Sequence, residues 1–313
     1  MGLERGDTVK LAMVFPGQGS QSVGMLKAYG DLPEVAEEAR SVLGNDFIEL
    51  LDEGPADKLT LTVNTQPAMV TAGYAAYRAW RALGGPAPDM VAGHSLGEYT
   101  ALVAAEVLSF KECLPLVRFR AQSMQQAVPE GQGAMAAILM LDDELVRAAC
   151  AEAGGVVQAV NFNAPGQVVI AGEKAAVERA MEACKAKGAK RAMLLPVSAP
   201  FHSTLMRPAA EKLKHYLEKV SVQKPAFSVI NNVDVAIEND PARIKDALVR
   251  QAASPVRWVE TIRRMVDSGV THIVECGPGK VLAGMTKRIA PGVQSFTLAD
   301  RAALEQALSG VKG

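Results

Sequence analysis

Apolar and polar positions along the chain fall into blocks that read as strands followed by helices. Val9 to Phe15 is apolar at every position but Lys10, too short for a helix and, from Leu11 on, without the alternation of a half-exposed strand. It therefore predicts a strand buried on both faces. The run stops at Pro16-Gly17-Gln18-Gly19-Ser20-Gln21. Gln66 to Leu83 is rich in alanine at helical spacing and ends at Gly84-Gly85-Pro86, which predicts one long helix. Pro88 to Ala92 then reads as a short apolar strand, Glu98 to Ala105 as a buried helix, and Lys111 to Val128 as another helix, closed by Pro129-Glu130-Gly131. Strands alternating with helices predict a parallel sheet covered by helices.

Between Gly133 and Ser198 the rhythm changes. Ala134 to Leu139 predicts a strand and Asp143 to Ala153 a helix. Val156 to Asn161 and Val168 to Ala171 predict a strand pair about an Asn163-Ala164-Pro165-Gly166 turn. Ala175 to Lys187 follows as a helix and Arg191 to Val197 as a last strand. That β-α-β-β-α-β order is the ferredoxin-like unit. Ile273 to Glu275, before Gly277-Pro278-Gly279, returns the chain to the first sheet.

Composition narrows the function classes. At 313 residues, 49% of them hydrophobic, the chain is long enough for a large domain with an insert. A formal net charge of -1 argues against nucleic acid as a partner. Cys113, Cys150, Cys184 and Cys276 show no C-x-x-C spacing, so neither a disulfide framework nor a metal site is indicated. The charged start followed by a short apolar run does not fit a signal peptide, and no stretch suffices to span a membrane. The chain reads as a cytoplasmic protein. Gly17-x-Gly19 is not completed as a dinucleotide fingerprint, because Ser22 stands where the third glycine belongs. Gly279-Lys280 is not a P-loop, since Val274 and Val281 replace its glycine and hydroxyl residue.

The most informative line is Gly93-His94-Ser95-Leu96-Gly97, a G-x-S-x-G elbow between a predicted strand and a predicted helix. Glycines allow the tight turn that exposes Ser95 as a nucleophile, and the Leu96 N–H at the new helix's start points toward an oxyanion. The competing reading is a glycine-rich turn with a serine cap. With this elbow the fold class becomes an α/β-hydrolase-like domain, residues 1–131 and 199–313, carrying the ferredoxin-like subdomain 132–198. Of four histidines, His94 adjoins Ser95, His215 sits on a charged helix face and His272 opens a strand. His202, in a loop after a strand, is left as the general base. No acid stands out as a third triad member, and a backbone carbonyl can hold the tautomer instead.

Arg120 shares a helical line with Leu116 and Met124, so its guanidinium falls on an apolar face. It must meet an anion there, either a structural carboxylate or the carboxylate of a substrate held by its fork.

Taken together, Phe15-Pro16-Gly17-Gln18-Gly19-Ser20-Gln21, the Gly93–Tyr99 elbow, Arg120 with Met124, Asn161-Phe162-Asn163-Ala164-Pro165-Gly166-Gln167, Phe201-His202 and Gly277-Pro278-Gly279-Lys280 resemble the malonyl-CoA:acyl-carrier-protein transacylases. The likeness runs from about Leu11 to Ile289. It implies a malonyl ester on Ser95, His202 as base, Arg120 clamping the malonyl carboxylate, and an oxyanion hole at Gln18 and the Leu96 N–H. It also implies that the main-chain carbonyl of Gln251 orients His202 and that Asn163 lies near the site's mouth. Phe201 matches malonyl-selecting domains of larger synthases, whereas many stand-alone bacterial relatives carry serine there; phenylalanine should shrink the pocket. The implied partners are malonyl-CoA and an acyl carrier protein, for a monomer with no bound cofactor. Lys185, Lys187, Lys190 and Arg191 form a basic cluster that would suit an acidic carrier. Two rivals stand beside this reading: a serine esterase or thioesterase, and a non-enzymatic acyl-CoA-binding protein.

Overall fold

Leu11–Phe15 (β1) lies at the centre of a five-stranded sheet and has every residue buried. The remaining strands are β2 (Met90–Gly93), β3 (Gly133–Leu139), β4 (Val157–Ala164), β5 (Gln167–Glu173), β6 (Arg191–Leu194), β7 (Ser228–Ile230), β8 (His272–Glu275) and β9 (Gln294–Thr297). This is a computed structural model that describes residues 9–30 and 32–312. The charged segment 1–8, where the large domain is expected to begin, lies outside the described residues.

The large sheet runs β7-β2-β1-β8-β9 with every pairing parallel. Alternate side chains of β1 feed two different cores. Leu11, Met13 and Phe15 pack with Met69, Ala72, Leu116 and Val117 of the helices Thr62–Ala82 and Phe110–Gln126. Ala12 and Val14 pack with Trp258, Ile262, Leu282 and Met285 of the helices Trp258–Asp267 and Val281–Ile289 on the other face. A strand covered on both sides has no solvent face, which is why its sequence is apolar throughout.

The second sheet runs β4-β5-β3-β6, all antiparallel, with the helices Asp143–Ala153 and Lys174–Ala186 packed on it through an apolar cluster of their own. This is the expected ferredoxin-like arrangement. It is tied to the large sheet's side of the molecule by a short parallel bridge: Phe162 N–H donates to Val256 O at 3.0 Å, and Val256 N–H to Val160 O at 2.8 Å.

In the second sheet, two strand ends differ by three residues from expectation. The β4-β5 hairpin is tighter, because Asn163 and Ala164 remain in β4 and pairing continues to Ala164↔Gln167. The turn is Pro165-Gly166, with Gly166 at φ 67°, a left-handed conformation that suits glycine. β6 ends at Leu194 rather than Val197. Pro196 has no N–H to extend the ladder.

Register sets up the site. Phe15 pairs with Gly93 and Val14 with Glu275, so β1, β2 and β8 release their carboxyl-end loops side by side. β1 is also where the strand order reverses, and crevices outside the carboxyl ends of strands at that position hold ligands in open parallel sheets.

Candidate active site

The elbow is built by close backbone contact. A Cβ on Gly93 would stand 1.8 Å from Gly97 C, and one on Gly97 would stand 2.0 Å from Phe15 O. Only glycine fits either place. Between them Ser95 is held at φ 52°, a strained value for a non-glycine residue. Asn232, just beyond β7, fastens this turn: its Oδ1 accepts the Ser95 N–H at 2.8 Å and its Nδ2 donates to Gly93 O at 2.7 Å.

His202 also has positive φ, at 65°, and is buried. Its Nε2 lies 2.6 Å from Ser95 Oγ and its Nδ1 lies 2.9 Å from the Gln251 main-chain carbonyl. A carbonyl only accepts, so Nδ1 carries the proton and Nε2 is left to receive the Ser95 hydroxyl hydrogen. Burial, reinforced by the Arg120 charge, pushes the imidazole down to about 3 and outweighs the stabilising bond to Gln251 O. His202 is therefore neutral near pH 7, the form a general base needs. His94 points elsewhere: its Nε2 bonds Asn163 Oδ1 at 2.7 Å and its ring tilts against Trp258.

Arg120 is 2% exposed on the helix Phe110–Gln126. Its Nη1 donates to Gln66 Oε1 at 2.8 Å, and its Nη2 to Gln251 Oε1 at 3.0 Å and to Ser95 Oγ at 3.3 Å. Tyr99 offers the cation its ring face at 5.3 Å. Among the described residues no carboxylate pairs with this guanidinium. Glu98 is the nearby anion that Arg120 senses, but its Oε2 accepts from Asn232 N–H and Gln251 Nε2, each at 2.9 Å. Of the two partners foreseen for Arg120, the structural carboxylate is not the one found. A buried cation propped by neutral amides beside a serine keeps its charge available to pair with a carboxylate.

The oxyanion candidates lie at adjacent strand ends. The main-chain N–H groups of Leu96 and Gln18 donate to no protein acceptor among the described residues. The Gln18 side chain is tied through Thr62, whose hydroxyl donates to Gln18 Oε1 at 2.7 Å and accepts from Gln66 Nε2 at 3.1 Å. Gln66 thereby links the Arg120 fork to the Gln18 loop.

Three expected residues take less direct positions. Asn163, expected in a turn at the mouth, is instead 6% exposed within β4 and bonds to His94, because the hairpin closes two residues later. Phe201 and Met124 are buried in the large apolar cluster, one residue before His202 and one helical turn after Arg120. In the basic cluster, Lys185 pairs with Glu182 and Lys187 with Glu152, each at 2.7 Å, which leaves Lys190 and Arg191 as its unpaired charges among the described residues. Sequence reasoning missed Gln66, Glu98 and Asn232. The signal available was Gln66, the one amide in the alanine-rich run from Gln66 to Leu83, and Glu98, the one charged residue of the helix Gly97–Ala104.

Comparison with known proteins shows the family. The acyl transferase domain family model matches residues 12–302. The chain is 53% identical over 305 residues to the malonyl CoA-acyl carrier protein transacylase of Escherichia coli K12, covering 96% of this chain and 99% of that one. It is 44% identical over 310 residues to the Bacillus subtilis protein of the same name, covering 97% and 98%. The crystal structure of an acyl-carrier-protein S-malonyltransferase from Burkholderia pseudomallei matches with a TM-score of 0.94 at 62% identity, over 96% of this chain and 100% of that one. A malonyl-transacylase solved in complex with a type II polyketide acyl-carrier protein matches with a TM-score of 0.93 at 51% identity, over 96% and 99%.

Proposed function

Because the chain belongs to the acyl transferase family, among its malonyl-CoA:acyl-carrier-protein transacylases, we propose that it moves malonyl from malonyl-CoA to the carrier's phosphopantetheine thiol through an ester on Ser95. His202 Nε2 takes the Ser95 proton as Oγ attacks the thioester carbonyl. The oxyanion is held by the Leu96 and Gln18 N–H groups. When the C–S bond breaks, His202 returns the proton to the coenzyme A sulfur. In the second half-reaction His202 takes the proton of the carrier thiol, sulfur attacks the ester, and Ser95 leaves with that proton. Gln251 O keeps the imidazole in the tautomer that both halves require.

The observation that carries this reading is Arg120: a buried guanidinium with neutral amide partners, 3.3 Å from the nucleophile. A hydrolase for uncharged esters has no use for it. Asn163 supports the floor of the site through His94, and Phe201 and Met124 bound the acyl pocket. Every group named comes from one chain, so the reading needs no second copy, and we assign the activity to a monomer. Four free cysteines and the use of malonyl-CoA support a cytoplasmic setting. No helix of the described residues is long and apolar enough to cross a membrane. The test is partition of the acyl group: with malonyl-CoA and carrier protein present, malonyl-carrier should form well ahead of free malonate. Free malonate as the main product would make the protein a thioesterase.

A further inference from the structure

Glu98 is a buried acid that the reaction above does not use. It lies three residues after Ser95 in the first turn of the helix Gly97–Ala104 and is 2% exposed. Among the described residues it forms no ion pair. A single oxygen, Oε2, accepts the Gln251 side-chain NH2 and the Asn232 main-chain N–H, both at 2.9 Å. We infer that Glu98 is a positioning residue for acyl-group selection: its carboxyl oxygen fixes the Gln251 amide so that the amide oxygen, and not its NH2, faces Arg120.

The argument turns on the shape of an amide. The two ends of a glutamine side chain are nearly the same size, so sterics alone do not say which end meets the guanidinium. Hydrogen bonding does, because an NH2 against a guanidinium sets donor against donor. In the observed orientation Gln251 Oε1 accepts from Arg120 Nη2 at 3.0 Å, while Nε2 donates to Ser95 O and to Glu98 Oε2. Ser95 O is a weak lock by itself, since it also accepts the Glu98 N–H at 3.1 Å. The carboxyl group, which can accept at several positions, is the stronger of the two.

Gln251 therefore serves twice. Its main-chain carbonyl holds His202, and its side chain props the Arg120 fork. Glu98 acts on the second function through the amide, and on the elbow through Asn232, which holds Ser95 N–H. Burial raises the Glu98 carboxyl to about 7, so the neutral form is within reach; its carbonyl oxygen can still accept both bonds. What the site needs from Glu98 is an accepting oxygen more than a charge.

The inference rests on the malonyl-transfer reading, so the experiment starts with the wild-type protein. Absence of malonyl-CoA turnover there would sink that reading and leave no selection to explain. Given turnover, kcat/KM for acylation is measured with malonyl-CoA and acetyl-CoA in Glu98→Leu, Glu98→Gln and Gln251→Leu. Glu98→Leu should lower the malonyl-over-acetyl ratio about tenfold or more, the loss expected for a hydrogen bond to a charged group. Glu98→Gln keeps an accepting oxygen and should restore most of the ratio. Gln251→Leu leaves Glu98 and the main-chain carbonyl in place and should lower the ratio by a similar factor. A folded Glu98→Leu protein with the wild-type ratio and only a lower melting temperature would make Glu98 merely structural and overturn the inference. Failure of Glu98→Gln to rescue would overturn it too, by showing that the charge matters. So would a wild-type ratio in Gln251→Leu, whether or not Glu98→Leu folds.

Discussion

At the scale of single residues the site is defined by what Arg120 does not meet. Malonyl and acetyl differ by one carboxylate, and an apolar pocket would favour acetyl because burying a charge is costly. On the proposed reading the fork would reverse that order, and would penalise acetyl by leaving the guanidinium without an anion. Charge-assisted pairs in desolvated sites suggest a swing on the order of 2–5 kcal/mol. Arg120→Ala should accordingly lose most malonyl transfer and gain relative activity toward acetyl-CoA. Arg120→Lys should recover only part, because an ammonium keeps the charge and loses the planar fork. Competition between the two thioesters reads this directly; an Arg120→Ala protein with the wild-type preference would return the arginine to a structural role.

At the scale of elements, the elbow depends on backbone contact that no side chain can share. Gly93→Ala would drive a Cβ to 1.8 Å from Gly97 C and 2.2 Å from Glu98 N, atoms that cannot move without opening the turn. It should cost more than ~3 kcal/mol or prevent folding, by the size of core overpacking and strain effects combined. Gly284 makes the contrast. It is exposed inside the helix Val281–Ile289 with nothing within 4 Å of a Cβ. Gly284→Ala should stabilise by about 0.5–1 kcal/mol, since alanine loses less backbone freedom on folding. Chemical denaturation of both variants checks the pair.

The elements that were legible from sequence are the ones whose pattern has a local cause. β1 is apolar because both its faces are buried, the helix Asp143–Ala153 is amphipathic because one face covers a sheet, and the elbow has its glycines because backbones touch. The three helices Pro33–Leu43, Asn45–Glu53 and Ala56–Thr60 escaped, being short segments separated by Gly44 and by Gly54-Pro55. β7, three residues long, and the partly exposed β9 escaped because neighbours, not periodicity, make them strands. The same distinction holds in the site. Ser95 and Arg120 stand out by local pattern, and His202 by elimination once Ser95 is given. The contacts of Gln251 and Asn232 with Ser95 span 156 and 137 residues, distances over which a sequence alone carries no hydrogen-bond information.

At the scale of the whole molecule, the second sheet has an apolar cluster with its own two helices, while Met135, Val160, Val169 and Ala171 of its strands join the large cluster, and we propose 132–198 as one folding unit with 1–131 and 199–313 as the other. Stability of the large unit should bear the mark of a second buried acid, Glu275, at the end of β8. Its Oε2 accepts the Ala283 N–H at 2.8 Å, yet burial raises its carboxyl to about 7 from an ordinary 4.5. A raised folded-state value means that between those limits the folded protein holds a proton the unfolded chain has released. This contribution to stability is present below about pH 4.5 and is lost as pH rises through 7. Glu275→Gln keeps an accepting oxygen and cannot ionise. It should melt higher than wild type at pH 8, with the difference vanishing toward pH 4. A constant difference across that range would assign the effect to packing.

The most direct test of the central claim is the intact mass of the protein after exposure to malonyl-CoA, followed by location of the adduct by peptide mapping. The account predicts one malonyl group per chain, carried on Ser95, absent in Ser95→Ala, and discharged when carrier protein bearing its phosphopantetheine thiol is added. A malonyl adduct that persists in Ser95→Ala, or that maps to any other residue, would contradict it.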